Sequence, residues 1–210
     1  MDIKPDRFKA EWLSKADIGK VVETVRSANP ICQKLPIDIL GFAEHDLGLE
    51  FDFAPIRHLG QDAFLRPDLT GIVFDNSTFV GDNLPRLRFS VAHELGHFYL
   101  HKAIYGKLHF GNVKQWLDFI DAIPSSEYQH IEWQADEFAG QLLMPINSIR
   151  KALDEAVDAA AKEGYLPLGE DAVLEFCCKA IHADFGVSRQ ATATRLKRAD
   201  LWPHPKVPSQ

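Results

Sequence analysis

The sequence has little of what marks a secreted or membrane protein. Its three cysteines, Cys32, Cys177 and Cys178, form neither an even set nor a CxxC pair, so the sequence does not indicate a disulfide framework. The stretch MDIKPDRFKAEWLSKADIGK carries charges throughout and lacks the apolar run of a secretory signal. No apolar run reaches the ~18 residues of a membrane-spanning helix. We therefore expect a cytoplasmic protein in a reducing compartment, with no membrane partner.

An excess of positive charge is also missing. The chain of 210 residues has 23 Lys and Arg against 30 Asp and Glu, a formal net charge of −7. This balance argues against indiscriminate binding to nucleic acid over the whole surface, although a local basic patch is compatible with it. The composition is 46% hydrophobic and 25% charged, which is typical of a globular chain that can bury a sizeable core.

The pattern of apolar residues predicts a mostly helical α+β protein with a few strands in its first half. Strands are expected over 49–56 and 70–80, where β-branched and aromatic residues are frequent. Ser126 has the position of a capping-box residue at the start of a helix that Pro145 ends. Helices are expected over 7–28, 36–48, 112–123, 126–144, 146–165, 170–185 and 188–199, and one more, capped by Asn83, contains 88–101.

The stretch RFSVAHELGHFYLH (88–101) contains the motif HExxH. Residues four apart lie on one face of a helix, so the imidazoles of His93 and His97 can reach a single zinc ion. Glu94 could approach a water molecule at the open zinc position without being a ligand, which makes it the natural general base. A chance HExxH on a surface helix is the alternative. The apolar residues around the motif argue against it, because unpaired polar groups are costly to bury.

A catalytic zinc needs a third protein ligand. His101 has poor reach, because three ligands at i, i+4 and i+8 span about 12 Å of helix axis. The pattern HExxHxxGxxH is absent, since Leu100 and Ala103 occupy the positions it needs. Glu132 in EWQADEFAGQLLMP is the better candidate, and Asp136, one turn further, could orient a ligand histidine. An isolated glutamate of this kind would ordinarily be a solvated helix charge.

Three phrases occur in order along the chain, namely RFSVAHELGHFYLH, EWQADEFAGQLLMP and DFGVSRQATATRL. Together they resemble the ImmA/IrrE family of zinc metallopeptidases. The resemblance implies that His93, His97 and Glu132 bind zinc and that Glu94 is the general base, as in gluzincins. It also implies a protein substrate, a helix-turn-helix repressor often encoded nearby, whose cleavage switches on stress, phage or mobile-element genes. The segment with KQWLDFIDAI is longer than is typical of the family, and an extra helix there could shape substrate choice.

We divide the chain into four parts on this basis. Residues 1–35 form an N-terminal helical segment, and 36–165 form the metallopeptidase core, in which a small mixed sheet precedes the zincin-type HExxH helix. Residues 166–202 form a C-terminal helical subdomain that resembles a helix-turn-helix. Residues 203–210, with three prolines in the last ten positions, are expected to be a flexible tail.

A regulatory binding module is the alternative interpretation. The helix over 188–199 is basic, and its place in the helix-turn-helix-like pair is compatible with DNA contact. The competing interpretation is that this helix pair packs against the core or docks the substrate. In the alternative, zinc is mainly structural, and the protein binds DNA or sequesters a repressor or antitoxin.

Other features of a peptidase site stay open in the sequence. Residues 71–74 are expected to be either an edge strand that pairs with an extended substrate or an ordinary sheet strand. His101 is expected to pack in the helix or to contact a metal ligand without binding the metal. The alternative is that it steadies the active-site helix or contacts the substrate. The donor to the oxyanion of a tetrahedral intermediate could be any of Tyr99, Tyr105, Tyr128, His109 and His130.

Overall fold

The computed structural model describes residues 5, 8–57, 62–77, 84–105 and 113–208. Within them the chain is mostly helical with one three-stranded mixed sheet, which confirms this part of the α+β prediction. In these parts of the chain, no helix is long and apolar enough to cross a membrane. The helices are α1 (Lys15–Ala28), α2 (Ile39–Gly41, followed by a π-helical turn over Phe42–Asp46), α3 (Leu84–Leu100), α4 (Lys102–Tyr105), α5 (Val113–Ala122), α6 (Ser125–Leu143), α7 (Ile146–Lys162), α8 (Glu170–Ile181) and α9 (Arg189–Arg198).

The sheet contains β1 (Glu50–Ala54), β2 (Ala63–Leu65) and β3 (Gly71–Asp75) in the order β1-β3-β2. β1 runs parallel to β3 and β2 runs antiparallel to it. β3 is therefore the central strand, which excludes the edge-strand interpretation of residues 71–74 and confirms the ordinary one. β2 was not predicted, because three residues are too few to show a pattern. It lies at the edge and packs against α3.

The N-terminal helix is shorter than the sequence predicts. It begins at Lys15, because Ser14 caps it by accepting the N–H of Asp17. The preceding residues, 8–14, have no helical structure. Their backbone bonds to α6 instead, with the N–H of Ala10 donating to Glu127 Oε2 at 2.8 Å. We call residues 8–14 the N-terminal segment.

Two other predicted boundaries also differ. The helix expected over 36–48 is reduced to α2 and its π-helical turn, and Gly48 follows with a left-handed φ of 68°. Ser126 does not cap α6, which begins at Ser125 directly after Pro124 without a side-chain cap. The expected cap Asn83 lies outside the described residues.

The C-terminal helices pack against the core. α9 is capped by Ser188 as predicted, and Gly186 supplies the left-handed turn before it with φ 63°. Arg195 of α9 is buried and pairs with the buried Glu137 of α6 at 3.3 Å. Behind this pair, Arg88 of α3 donates from Nε to the carbonyl of Gly186 at 2.8 Å. The helix-turn-helix-like pair, α8 and α9, therefore packs against the rest of the chain through contacts with α3 and α6.

Residues 203–208 lie against α7, in contrast to the flexible tail expected there. His204 Nε2 is 3.0 Å from Asp154 Oδ1, and Lys206 pairs with Asp158. Val207 is buried. These contacts give the proline-rich segment partners that composition does not reveal.

One hydrophobic core includes residues from every proposed division of the chain, and the division boundaries stay predictions.

All three cysteines are free and buried. Burial raises the pKa of the thiols of Cys32 and Cys178 to about 11 and that of Cys177 to about 12. At pH 8 less than about 0.1% of each thiol is then a thiolate, the reactive form.

We expect the native protein to react very slowly with a disulfide reagent such as DTNB at pH 8, and all three thiols to react after unfolding in guanidinium. Rapid modification of a thiol in the native protein would contradict this burial.

Helices α3 and α6 pack against each other along much of their length, and their backbones meet at Gly96. A Cβ atom at Gly96 would lie 2.8 Å from Ala135 Cα and 2.9 Å from the Ala135 carbonyl oxygen. Only glycine allows this approach. His93 and Glu132 each lie about one turn from this contact, and their side chains meet at 3.2 Å between the two helices.

This contact predicts that Gly96→Ala lowers stability and zinc affinity, whereas Gly140→Ala does not. Gly96→Ala must push α6 away from α3, so we expect a loss of about 1–3 kcal/mol in the free energy of unfolding and much weaker zinc binding. Gly140→Ala is the matched control, because its Cβ would meet only Arg195 Cδ at 3.5 Å. Urea denaturation and chelator competition measure both effects. Unchanged stability and zinc affinity in Gly96→Ala would show that the close approach is not required.

Candidate metal centre

Three predicted ligands converge between α3 and α6. The Nε2 atoms of His93 and His97 are 3.1 Å apart. The carboxylate of Glu132 reaches both, with Oε2 3.2 Å from His93 Nε2 and Oε1 3.5 Å from His97 Nε2. Donors around a tetrahedral zinc at 2.0–2.1 Å are about 3.3 Å from one another. The three side chains therefore have the spacing of a zinc-binding set.

Hydrogen bonding determines which nitrogen His93 presents. Its Nδ1 lies 3.0 Å from Oδ1 of Asp136. A carboxylate accepts, so Nδ1 carries a proton, and in the neutral ring Nε2 directs a lone pair toward Glu132 and His97. Asp136 also contacts Arg198 of α9 through Oδ2 at 3.4 Å. Arg198 thus connects the C-terminal helix with the ligand His93.

A longer series of hydrogen bonds orients His97. The Gln134 amide donates from Nε2 to the carbonyl of Glu11 at 2.8 Å, which leaves Gln134 Oε1 as the acceptor for His101 Nε2 at 2.9 Å. With its proton on Nε2, a neutral His101 accepts at Nδ1 from His97 Nδ1, 3.0 Å away. His97 therefore also presents the lone pair of Nε2. We call Glu11, Gln134 and His101 the relay.

The centre favours a positive charge. Two lone pairs 3.1 Å apart beside a carboxylate repel one another unless a cation lies among them. Burial opposes the charged form of His93, but hydrogen bonds with Asp136 and Glu132 outweigh it and raise the pKa to about 10. For His97, burial and then the nearness of His93 hold the pKa well below its usual value. A cation shared by the three donors would satisfy all of them.

Glu94 lies beside the three donors but is not among them. Its side chain is buried, and Oε2 accepts the N–H of Leu65 in β2 at 2.7 Å. Burial raises its pKa to about 7, and the nearby charge of His93 acts in the opposite direction. A carboxylate held by one backbone donor, with a pKa near neutrality, is suited to accept and return a proton.

The candidates for the oxyanion donor differ in whether they line the pocket that contains the metal-site donors. Tyr105 and Tyr128 line the same pocket as the donors and Glu94, whereas Tyr99 and His130 are not among its described lining residues. His109 lies outside the described part of the chain. Of the four candidates within the described residues, the two tyrosines share this pocket with the donors, and His109 stays a prediction.

Several residues of the centre were not predicted. The sequence indicated neither Gln134 nor the backbone of Leu65 and Glu11, because nothing in their spacing relates them to HExxH. Arg198 belongs to the basic helix over 188–199, for which the sequence indicated no contact with the residues of HExxH.

Comparison with known proteins agrees with these observations. The family model described as the IrrE N-terminal-like domain matches residues 65–197, which contain α3 and α6 and all of α9 except its last residue. Because this match covers more than half of the chain, the protein belongs to the IrrE N-terminal-like family of metallopeptidases. The resemblance stated above is confirmed. No curated protein matches the chain.

The relay predicts a change in metal affinity from a residue that touches no metal. In Gln134→Met, His101 loses its acceptor and His97 loses its fixed tautomer, so we expect zinc affinity to fall about 10–100-fold. Gln129→Met, at an exposed position of the same helix, is the control. Chelator competition measures the affinity, and nitrogen NMR of the imidazoles reports the tautomer. Equal zinc affinity in the two variants would show that the relay does not support His97.

Proposed function

We propose that this protein is a zinc-dependent, site-specific endopeptidase of the gluzincin type. The convergence of His93, His97 and Glu132 beside the buried Glu94 carries this proposal, in a chain of a metallopeptidase family. A His2Glu set favours zinc among the divalent metals. When bound there, zinc would polarise the scissile carbonyl and lower the pKa of a water molecule.

Side chains of this protein would carry out proton transfer, ligand orientation and stabilisation of the oxyanion. Glu94 takes a proton from the attacking water, whose oxygen bonds to the carbonyl carbon, and returns it to the amine nitrogen as the C–N bond breaks. Asp136 and His101 hold His93 and His97 in orientation. A hydroxyl of Tyr105 or Tyr128, which line the same pocket as the donors, would donate to the developing oxyanion.

A catalytic role is better supported than a structural one. Structural zinc sites have four protein ligands, whereas catalytic sites have three and an open position. Within the described residues, the cluster offers three ligands. Glu94 of HExxH is buried and lines the same pocket as the three donors, rather than being exposed at the surface.

The substrate part of the proposal follows from the resemblance. We propose a helix-turn-helix transcriptional repressor, encoded nearby, whose cleavage derepresses stress, phage or mobile-element genes in the cytoplasm. DNA contact through 188–199 receives less support, because Arg195 and Arg198 pair with carboxylates of α6. Arg189 and Lys197 are the exposed cations of that helix.

Replacement of the general base separates catalysis from metal binding. In Glu94→Gln the three ligands remain, so we expect full zinc content and cleavage that is slower by about 100-fold to 10,000-fold. The measurement combines zinc analysis with mass spectrometry of the proposed repressor substrate. Glu163→Gln, at an exposed position, is the control.

Two outcomes would contradict this proposal. Cleavage at the normal rate by Glu94→Gln would exclude the assigned mechanism. An intact repressor in a stable complex with the zinc-loaded native protein would favour the regulatory binding module instead.

A further inference from the structure

The N-terminal segment lies along α6 and is held there by contacts with side chains, since it forms neither a helix nor a strand. The N–H of Ala10 donates to Glu127 Oε2 at 2.8 Å. Two residues later, Trp12 stacks on Trp133, with ring planes 5° apart and centroids 5.9 Å apart. Trp12 is nevertheless 65% exposed. A segment held in this way can detach locally while the helices of the core stay folded.

Between these two contacts, the backbone of the segment reaches the relay. Gln134 donates from Nε2 to the carbonyl of Glu11, so its Oε1 is turned toward His101. Gln134 and His101 are both buried. Buried polar groups take their partners from the protein. The hydrogen bonds of the relay must therefore run in the observed direction or in the reverse one.

In the observed direction, the relay prepares His97 to bind a metal ion. His101 donates from Nε2 to Gln134 and accepts at Nδ1 from His97, which leaves a lone pair on Nε2 of His97. This lone pair lies 3.1 Å from Nε2 of His93 and 3.5 Å from Oε1 of Glu132. A cation among the three donors completes this pattern.

In the reverse direction, the relay closes the centre to a metal ion. A half-turn of the Gln134 amide presents Nε2 to His101, which then donates from Nδ1 to His97. His97 carries its proton on Nε2 and directs it toward Nε2 of His93 or the carboxylate of Glu132. The reversal moves protons within the relay and adds none. A proton then lies where the observed direction admits a cation, and the pattern is complete without metal.

The N-terminal segment distinguishes between the two directions. If the amide turned while the segment is docked, Gln134 Oε1 would face the carbonyl of Glu11, which is also an acceptor. Two buried acceptors in contact lose a hydrogen bond and repel each other, so docking disfavours the reverse direction. When the segment detaches, water can serve either end of the Gln134 amide, and this preference is lost.

We infer that docking of the N-terminal segment on α6 and binding of zinc at the metal centre promote each other. This inference rests on the zinc site of the proposed function and concerns its regulation. The relay is the two-state element that both events bias, and the coupling acts equally in both directions. Displacement of the segment therefore lowers the affinity for zinc, and loss of zinc loosens the segment.

Hydrogen exchange tests one direction of the coupling in the native, full-length protein. The amide of Ala10 exchanges only when its bond to Glu127 opens, so zinc should slow this exchange about 10–100-fold, the factor expected for metal affinity. The amide of Gly41, which donates to Asp38 Oδ1 at 3.0 Å, is the control and should not respond. Nuclear magnetic resonance measures both amides with and without zinc. Equal exchange of Ala10 in the two states would overturn the inference.

Variants of the N-terminal segment test the other direction. Ala10→Pro removes the N–H that Glu127 accepts, and Trp12→Ala removes the stacked ring. In the double variant we expect zinc affinity to fall about 10–100-fold, measured by chelator competition. Trp12→Phe, which keeps an aromatic ring on Trp133, is the matched control and should bind zinc as the native protein does. Native zinc affinity in the double variant would contradict the coupling.

Gln134→Glu distinguishes the relay from a general loss of stability. A carboxylate can only accept from His101, whichever way it turns, so the substitutions at Ala10 and Trp12 should no longer change zinc affinity in this background. The same fall in both backgrounds would overturn the role of the relay. If Gln134→Glu does not fold, the exchange of Ala10 in the native protein decides the question.

The outcome is distinguishable from that of the proposed function. Coupling without cleavage of any repressor would leave this inference standing and contradict the peptidase proposal. Cleavage that depends on Glu94, without coupling, would overturn this inference alone. A native protein that binds no zinc would overturn both.

Discussion

The close approach of α3 and α6 at Gly96 is the constraint on which the metal centre depends. The two histidines come from one helix and the carboxylate from another, and no local property of either helix can bring them within 3.5 Å. The absence of a side chain at Gly96 allows the backbones to meet at Ala135. Glu132 then faces His93 and His97, and the three donors acquire a spacing suited to zinc.

The surrounding structure fixes the direction in which each donor points. Asp136 holds His93, and Gln134 holds His97 through His101, so both imidazoles turn Nε2 toward the same point. The residues that orient the histidines are themselves held by residues near the two ends of the chain. Glu11 of the N-terminal segment orients Gln134, and Arg198 of α9 contacts Asp136. The peripheral elements are therefore parts of the site rather than appendages to it.

Prediction from the sequence succeeded where the signal is local. The HExxH spacing places His93 and His97 on one helical face by geometry alone, and Ser188 and Gly186 have the local roles that their residue types indicate. Glu132 required a second motif, because its nearness to HExxH is a property of helix packing. β2 and the bond between Gln134 and Glu11 could not be predicted, since one has three residues and the other joins positions 123 residues apart.

X-ray absorption spectroscopy at the zinc edge tests the central claim most directly, namely that His93, His97 and Glu132 share one zinc ion. We expect one zinc per chain, with nitrogen and oxygen neighbours at about 2.0–2.2 Å, two of them imidazoles. In Glu132→Ala the zinc should be bound weakly or not at all. Sulfur neighbours at about 2.3 Å, or an unchanged spectrum and full occupancy in Glu132→Ala, would contradict this assignment of the metal centre.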